Sequence, residues 1–156
     1  MTETSSRVRS SIVTGVTAGL VGGVLIEAYS FAAIWVMAGG VDVVREFQYT
    51  AAGLIGATAL GDPLYAWLGV AVHFAISAVW GIGYVYVAAR TPQLDGVPLI
   101  SGFIYGFAVY LLMLILQFPS NVQHAPEFST QGNGMIAYTF FFGIPIALIA
   151  RARRAT

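Results

Sequence analysis

The feature that most constrains this chain is a set of four apolar stretches, each about long enough to cross a lipid bilayer. They cover residues 11–37, 64–89, 99–118 and 134–150, and the last is the shortest. A helix needs about 20 mostly apolar residues to span the hydrocarbon core, and a helix satisfies its own backbone hydrogen bonds there. The sequence therefore predicts an all-α polytopic membrane protein, with four transmembrane helices in one domain covering residues 1–156.

Composition supports this prediction and removes several classes of function. Charged residues make up 9% of the chain, whereas soluble domains carry about 25%. The net charge is zero, so no basic surface indicates nucleic acid as a partner. The chain has no cysteine, which excludes disulfides, thiolate catalysis and cysteine-ligated metals. The polar start and the long apolar run after it favour a retained helix over a cleaved signal peptide.

Prolines and turn residues mark several helix ends. Asp62 and the proline after it predict an N-cap and first turn for the second membrane helix, and Pro98 predicts the start of the third. Residues 90–97 are predicted to form a short turn between these two helices. Pro145 lies inside the fourth apolar stretch, so we expect it to kink that helix.

A weaker segment at residues 43–60 lies between the first two membrane helices. Arg45, Glu46 and Gln48 lie mostly off its apolar face. We expect an interfacial amphipathic helix, with a re-entrant segment or a fifth span as the alternatives. The apolar face recurs at helical spacing through Val43, Val44, Phe47, Ala51, Leu54 and Ile55.

The arginines predict the orientation, because positive charge accumulates in cytoplasmic loops. With both termini in the cytoplasm, Arg45 is the one arginine of seven on the outer side. The reverse orientation places the other six outside. Those six are Arg7, Arg9, Arg90, Arg151, Arg153 and Arg154.

Small residues recur at every fourth position or multiples of it in three of the predicted helices. Such stripes let helix backbones approach closely in lipid, where packing drives association. The first and third helices both open with glycines four apart, which hints at a two-plus-two repeat. The stripes are Gly15, Gly19 and Gly23 in the first helix, Gly69, Ser77 and Gly81 in the second, and Gly102 and Gly106 in the third.

Two ionisable residues share these stripes. Glu27 is the next step after Gly23, and His73 lies between Gly69 and Ser77. Both fall some 4–5 Å to the outer side of the bilayer centre at about 1.5 Å rise per residue, so we expect them to touch. Charged groups at this depth cost roughly 3 kcal/mol or more on insertion scales, which makes them candidates for function.

A polar layer is predicted around this pair. Tyr110 on the third helix and Tyr138 and Thr139 on the fourth lie at similar depth, with Ser77 one turn from His73. The layer is either a proton relay or small polar binding site, or a self-satisfied pair that fixes helix register. We predict no cofactor and no metal: His124 and Glu127 flank a loop proline, and no nucleophile or phosphate-binding motif occurs.

The chain resembles a family of small prokaryotic membrane proteins, and more distantly the YagU-like inner-membrane proteins. The resemblance covers most of residues 10–154 and implies a four-helix protein of the prokaryotic cell membrane. The family has no established activity, so none is implied. Members often carry a histidine where this chain has Tyr138, which weakens any metal or haem hypothesis. The resemblance lies in Phe47-Gln48-Tyr49, Ala52–Gly56, Leu68-Gly69, His73-Phe74, Tyr86–Arg90, Val109-Tyr110, Met113, Pro119 and Gly143–Ala147.

Two classes of function fit these observations. One is a structural or accessory subunit of a larger membrane complex, which the small size and short loops favour. The other is a proton-coupled transporter or permease built on Glu27 and His73, which four helices could enclose only as a homo-oligomer. An enzyme comes third because no catalytic motif supports it. The predicted partners are therefore the lipid bilayer and either further copies of the chain or larger subunits.

Overall fold

The computed structural model describes residues 3–117 and 131–154, and the side chains of residues 8–116 and 132–153. It is 92% helical, without strands in the described segments. In chain order the elements are α1 (Glu3–Ala38), α2 (Val43–Ile55), a 3-10 segment (Gly56–Leu60), α3 (Tyr65–Arg90), α4 (Gln93–Gly96), α5 (Pro98–Gln117), α6 (Gln131–Ile136), a π-helical segment (Ala137–Gly143) and α7 (Ile144–Arg154). We call the last three together the fourth membrane helix.

The described residues contain four helices long and apolar enough to cross a membrane, which confirms the all-α polytopic fold. They are Val8–Ala38, Tyr65–Arg90, Pro98–Leu116 and Gly132–Arg153. The first and fourth membrane helices begin at Glu3 and Gln131, before the predicted apolar stretches at residues 11–37 and 134–150. The added residues are mostly polar and extend each helix beyond its apolar part. The predicted turn at residues 90–97 contains the short helix α4. Pro98 begins α5 as expected.

Exposed aromatic side chains lie near both ends of the bundle. Trp35 near the end of α1 and Trp67 near the start of α3 are exposed at one end of the bundle. At the other end, the Arg90 guanidinium lies 3.4 Å from the centre of the Tyr86 ring. Amphipathic rings and long basic side chains favour the interface between lipid and water. The two sets therefore mark the two edges of the membrane-embedded part.

The first helix pair is α1 with α3, and its backbones touch through the predicted small residues. A Cβ added at Gly81 would lie 2.5 Å from the Gly19 nitrogen and would overlap the Gly15 carbonyl oxygen. A Cβ added at Gly19 would overlap the Ser77 carbonyl oxygen. The two stripes therefore pack against each other as predicted. Gly69 is the exception, because it contacts α2 rather than α1.

The second helix pair is α5 with the fourth membrane helix, and it repeats the same contact. A Cβ added at Gly143 would lie 2.6 Å from the Gly106 nitrogen and would overlap the Gly102 carbonyl oxygen. A Cβ added at Gly106 would overlap the Tyr138 carbonyl oxygen. This pattern agrees with a two-plus-two repeat, in which Gly106 corresponds to Gly19 and Gly143 to Gly81.

The π-helical segment accounts for the one irregularity in this repeat. Ser77 precedes Gly81 by four residues, whereas their counterparts Tyr138 and Gly143 are five apart. A π turn holds one more residue than an α turn, so it keeps both ends of the segment against α5. It also lies directly before Pro145. The sequence predicted a kink at this proline. The structure has a widened turn directly before it, closed by an i→i−5 hydrogen bond from the Ile144 amide to the Thr139 carbonyl.

The segment predicted as one helix over residues 43–60 is a helix followed by a 3-10 turn. α2 starts at the N-cap Asp42, whose side chain accepts a hydrogen bond from the Arg45 amide. It stops at Gly56, whose φ of +73° with extended ψ suits only glycine. Thirteen residues reach about 20 Å at 1.5 Å per residue, too short for the bilayer core. A fifth span is therefore excluded.

The polar side chains of α2 are not where the amphipathic pattern placed them. Gln48 is 4% exposed and donates to the carbonyl oxygens of Ala59 and Asp62, at 3.0 and 2.9 Å. Arg45 donates to the Leu60 carbonyl oxygen. A 3-10 turn leaves carbonyls without helical partners, and these two side chains supply the donors. The polar side of α2 therefore binds its own 3-10 segment, and the helix itself packs on α3.

Candidate functional site

The predicted contact between Glu27 and His73 is confirmed. Glu27 lies on α1 and His73 on α3, and the carboxylate oxygen Oε1 is 3.1 Å from the ring nitrogen Nδ1. The other ring nitrogen, Nε2, lies 3.0 Å from the carbonyl oxygen of Gly23. The side chains keep 20% and 15% of their surface exposed, respectively. The pair is thus mostly enclosed, and both imidazole nitrogens have a partner.

These two contacts fix how many protons the pair holds. A carbonyl oxygen only accepts hydrogen bonds, so Nε2 of His73 carries a hydrogen. The contact between Nδ1 and Oε1 then requires one more proton between them. If that proton is on Glu27, both residues are neutral; if it is on His73, they form an ion pair. In both forms the net charge of the pair is zero, which suits a site of low dielectric.

Gly23 makes this geometry possible. A Cβ at this position would lie 2.8 Å from the Ser77 hydroxyl oxygen and 3.3 Å from His73 Nε2. Without that carbon, α3 comes close enough for the imidazole to reach the backbone of α1. The glycine stripe therefore brings the helices together and also exposes the carbonyl that holds the histidine. Sequence reasoning identified the stripe but missed this carbonyl as a ligand of the ring.

Three phenylalanines around the histidine were not predicted as part of the site. Phe74 meets His73 edge to face, with ring centres 5.0 Å apart. Phe47 of α2 lies 6.3 Å from the same ring, and Phe31 of α1 lies 5.9 Å from Phe47. Phe47 and Phe74 thus place aromatic rings against the imidazole, and Phe31 extends this aromatic wall to α1. The adjacency of His73 and Phe74 in the sequence was the one available signal, because Phe47 arrives only through the packing of α2.

The remaining predicted polar residues divide into three groups. Ser77 is buried beside Gly23, next to the pair. Tyr138 lies 5.9 Å from Tyr110, ring centre to ring centre, and interacts electrostatically with Glu27. Thr139 is turned against Gly106 of α5, and its hydroxyl donates to the Met135 carbonyl at 2.6 Å. The hydroxyl hydrogen of Thr139 is therefore used within its own helix.

A second polar contact joins α1 to the fourth membrane helix nearer the end of the bundle where α1 ends. The Tyr29 hydroxyl donates to the Asn133 side-chain oxygen at 3.3 Å, and the Asn133 amide contacts the Met37 sulfur at 3.0 Å. The Tyr29 ring stacks on Phe141 with 4.4 Å between centres. Sequence reasoning missed this link, because nothing local shows that residues about 100 positions apart become neighbours.

No group of three or more metal-binding side chains occurs among the side chains that the structure describes. His124 and Glu127 lie outside the described residues. Comparison of the chain with family models, with curated proteins and with solved structures finds no match. The fold and the site therefore define the class as a helical, multi-pass membrane protein with a buried carboxylate–imidazole pair.

Proposed function

We propose that this protein is a small structural or accessory subunit of a larger complex in a prokaryotic cell membrane, with both termini in the cytoplasm. Arg9, Arg90, Arg151 and Arg153 belong to helix ends on one side of the four spans, and Arg45 follows the other end of α1. This asymmetry supports the orientation, because basic residues favour the cytoplasmic side. The resemblance to YagU-like proteins supports the same membrane.

The observation that carries the proposal is the apolar filling of the bundle. Ala18, Val109, Phe142 and Ile146 are almost completely buried at its centre, and they belong to three different membrane helices. Both helix pairs are closed by backbone contact at their glycines. A hydrophilic substrate therefore meets packed side chains along the axis of the single chain. Such a bundle is suited to holding neighbouring subunits in place rather than to conducting polar solutes.

The test is the native mass of the protein extracted from its own membrane in a mild detergent. An affinity-tagged chain expressed at its natural level should elute with larger subunits in fixed stoichiometry. A Gly19→Ala variant, which disturbs the first helix pair, should lose those subunits, whereas Gly53→Ala on the open side of α2 should keep them. Elution of the wild-type chain alone, as a monomer or dimer, would contradict the accessory role.

One observation favours proton-coupled transport as the second candidate function. The contact of Glu27 with His73 joins α1 to α3, the ring of Phe47 on α2 lies near the histidine, and both side chains of the pair remain partly exposed. A group that can release or accept one proton within the membrane is the part a proton-coupled carrier needs. A pathway past this position would run along the side of the bundle, between copies of the chain.

Proteoliposomes with a pH-sensitive dye inside distinguish the two functions. Under an imposed pH gradient, transport predicts a proton flux that Glu27→Gln abolishes and that Asp95→Asn, a carboxylate in the short helix α4, preserves. Equal flux in the wild type, in Glu27→Gln and in empty liposomes would rule out proton coupling at this pair.

A further inference from the structure

We infer that the Glu27–His73 pair is the binding site for one monovalent organic cation with an apolar body, which enters in exchange for one proton. This inference rests on the second candidate function, proton coupling, and names its substrate class. It starts from the charge of the pair, which the hydrogen bonds fix at zero while the shared proton is present.

Loss of that proton leaves the Glu27 carboxylate with a negative charge that no positive group balances. The proton leaves the bridge between Glu27 Oε1 and His73 Nδ1, and both atoms then present lone pairs to each other. The carboxylate carries one full charge, and burying it without a partner is strongly unfavourable. A ligand with a single positive charge restores neutrality. The balanced exchange is one cation bound for one proton released, with no covalent bond made or broken.

The surroundings of the pair favour an organic cation over a metal ion. The donor set is one carboxylate and one imidazole, whereas the adjoining aromatic wall consists of Phe47 and Phe74 against the imidazole and of Phe31 against Phe47. Aromatic faces attract organic cations and pack against their apolar parts. They offer no lone pair to a metal. The wall therefore matches a ligand that combines one positive charge with an aromatic or alkyl body.

The position of the site suits such a ligand. Glu27 and His73 keep a fifth or less of their side-chain surface open, and α2 covers the histidine through Phe47. The exposed residues of α2 include Val44 and Leu54, which are apolar. The apolar part of an amphiphilic cation can therefore pack against these apolar side chains while its charged group contacts the carboxylate. A strongly hydrated ion would lose its water shell along the same route.

Other charged or titratable groups do not replace the pair in this exchange. Tyr138 faces Glu27 from the fourth membrane helix, and a tyrosine hydroxyl stays protonated from about pH 6 to about pH 8. On α2, the Arg45 guanidinium is bonded to the Leu60 carbonyl and lies over the ring of Tyr49. Glu46, also on α2, has partners of its own.

The repeat limits the site to one per chain. The counterpart of Glu27 in the second helix pair is Leu114, counted from Gly19 and Gly106, and that of His73 is Gly134, counted from Ser77 and Tyr138. Gly134 instead receives the ring of Tyr110, at 2.9 Å from an added Cβ. In the second helix pair, the position that corresponds to the imidazole of His73 is therefore occupied by the uncharged ring of Tyr110. Binding should saturate at one cation per polypeptide.

The experiment is calorimetric titration of the purified wild-type protein in detergent with tetraphenylphosphonium, in buffers of different ionisation enthalpy. Uncharged triphenylphosphine oxide is the matched control ligand. We expect one cation bound and one proton released per chain at pH values where the free pair holds its proton, and over that range an affinity that rises about tenfold per pH unit. The neutral analogue should bind at least tenfold more weakly. Glu27→Gln should abolish proton release, and Asp95→Asn should behave as wild type.

Binding without proton release, equal binding of the neutral analogue, or no binding at all would each overturn the inference. The wild-type proton count decides this even if Glu27→Gln fails to fold. Absence of cation binding together with Glu27-dependent proton flux in liposomes would remove the substrate class and leave proton coupling intact. Absence of both would remove proton coupling as well, and the accessory role would remain.

Discussion

Replacement of Gly19 by alanine tests the backbone contact that holds the first helix pair. The added Cβ would lie 2.8 Å from the Ala78 Cα and would overlap the Ser77 carbonyl oxygen, whereas ordinary contact starts at 3.4 Å. Both obstacles are backbone atoms in the middle of a long helix, so no rotamer change relieves the overlap. The helices must move apart along this whole contact.

The cost has two parts. Overpacking a tight interface costs about 1–3 kcal/mol, since a gap of about 0.5–1 Å forfeits a quarter to a half of the dispersion energy of the separated atoms. The separation also lengthens the hydrogen bond from His73 to the Gly23 carbonyl, which contributes about 1 kcal/mol. Gly19→Ala should therefore destabilise the protein by roughly 2–4 kcal/mol. Gly106→Ala in the second pair meets the same backbone obstacle and should cost about 1–3 kcal/mol.

The assay is reversible unfolding in mixed micelles with increasing sodium dodecyl sulfate, followed by circular dichroism. Gly53→Ala is the matched control, because Gly53 is helical and no atom lies within 4 Å of an added Cβ. It should be neutral or stabilising by up to about 1 kcal/mol. If Gly19→Ala unfolded within about 0.5 kcal/mol of Gly53→Ala, the close backbone packing would be refuted.

Three further predictions follow from the same contacts. In a double-mutant cycle, Glu27→Gln and His73→Gln should show a coupling energy of about 1–3 kcal/mol in the same unfolding assay, and strict additivity would deny the contact. Gln48→Leu removes the side-chain donor of the buried Ala59 carbonyl, so it should cost about 1–3 kcal/mol and speed amide exchange in the 3-10 segment; unchanged exchange would contradict its role. A cysteine at position 93 should react with impermeant maleimide only from the cytoplasm, and one at position 128 only from outside; the opposite labelling would reverse the proposed orientation.

Much of the fold was readable from the sequence because the bilayer imposes local rules. Each span follows from the hydropathy of about 20 consecutive residues, without knowledge of any other span. Pro98 begins α5, as its own backbone geometry predicts. The predicted N-cap at Asp62 is wrong, because α3 begins at Tyr65 after Leu64, and the Asp62 carboxylate accepts a hydrogen bond from the Leu64 amide in the turn before the helix. The contact between Glu27 and His73 was also predictable, since a fixed rise per residue gives depth and a periodic stripe gives the face. Depth and face together are sufficient to bring two helices into register.

The polar side of α2 is a feature whose hydrogen-bond partners could not be predicted from the sequence. Its amphipathic pattern predicted a face toward water, and that face instead holds the carbonyls of the 3-10 segment through Arg45 and Gln48. The sequence pattern shows which side chains are polar, but it does not show which groups they form hydrogen bonds with. In this case the partners are backbone groups 11 to 15 positions away, which exist as free acceptors only because Gly56 ends the helix.

The sequence alone determined the number of spans, most of their ends, and the two ionisable residues that meet between α1 and α3. Only the tertiary structure decided how the polar groups are used: the Gly23 carbonyl that holds His73, the ring of Phe47 near it, and the bond of the Thr139 hydroxyl to the carbonyl of Met135 in its own helix. Spans depend on the transfer of each segment into lipid, which is a property of neighbouring residues. The environment of the pair depends on contacts between distant segments, and the π-helical turn that keeps Tyr138 in step with α5 arises from that packing.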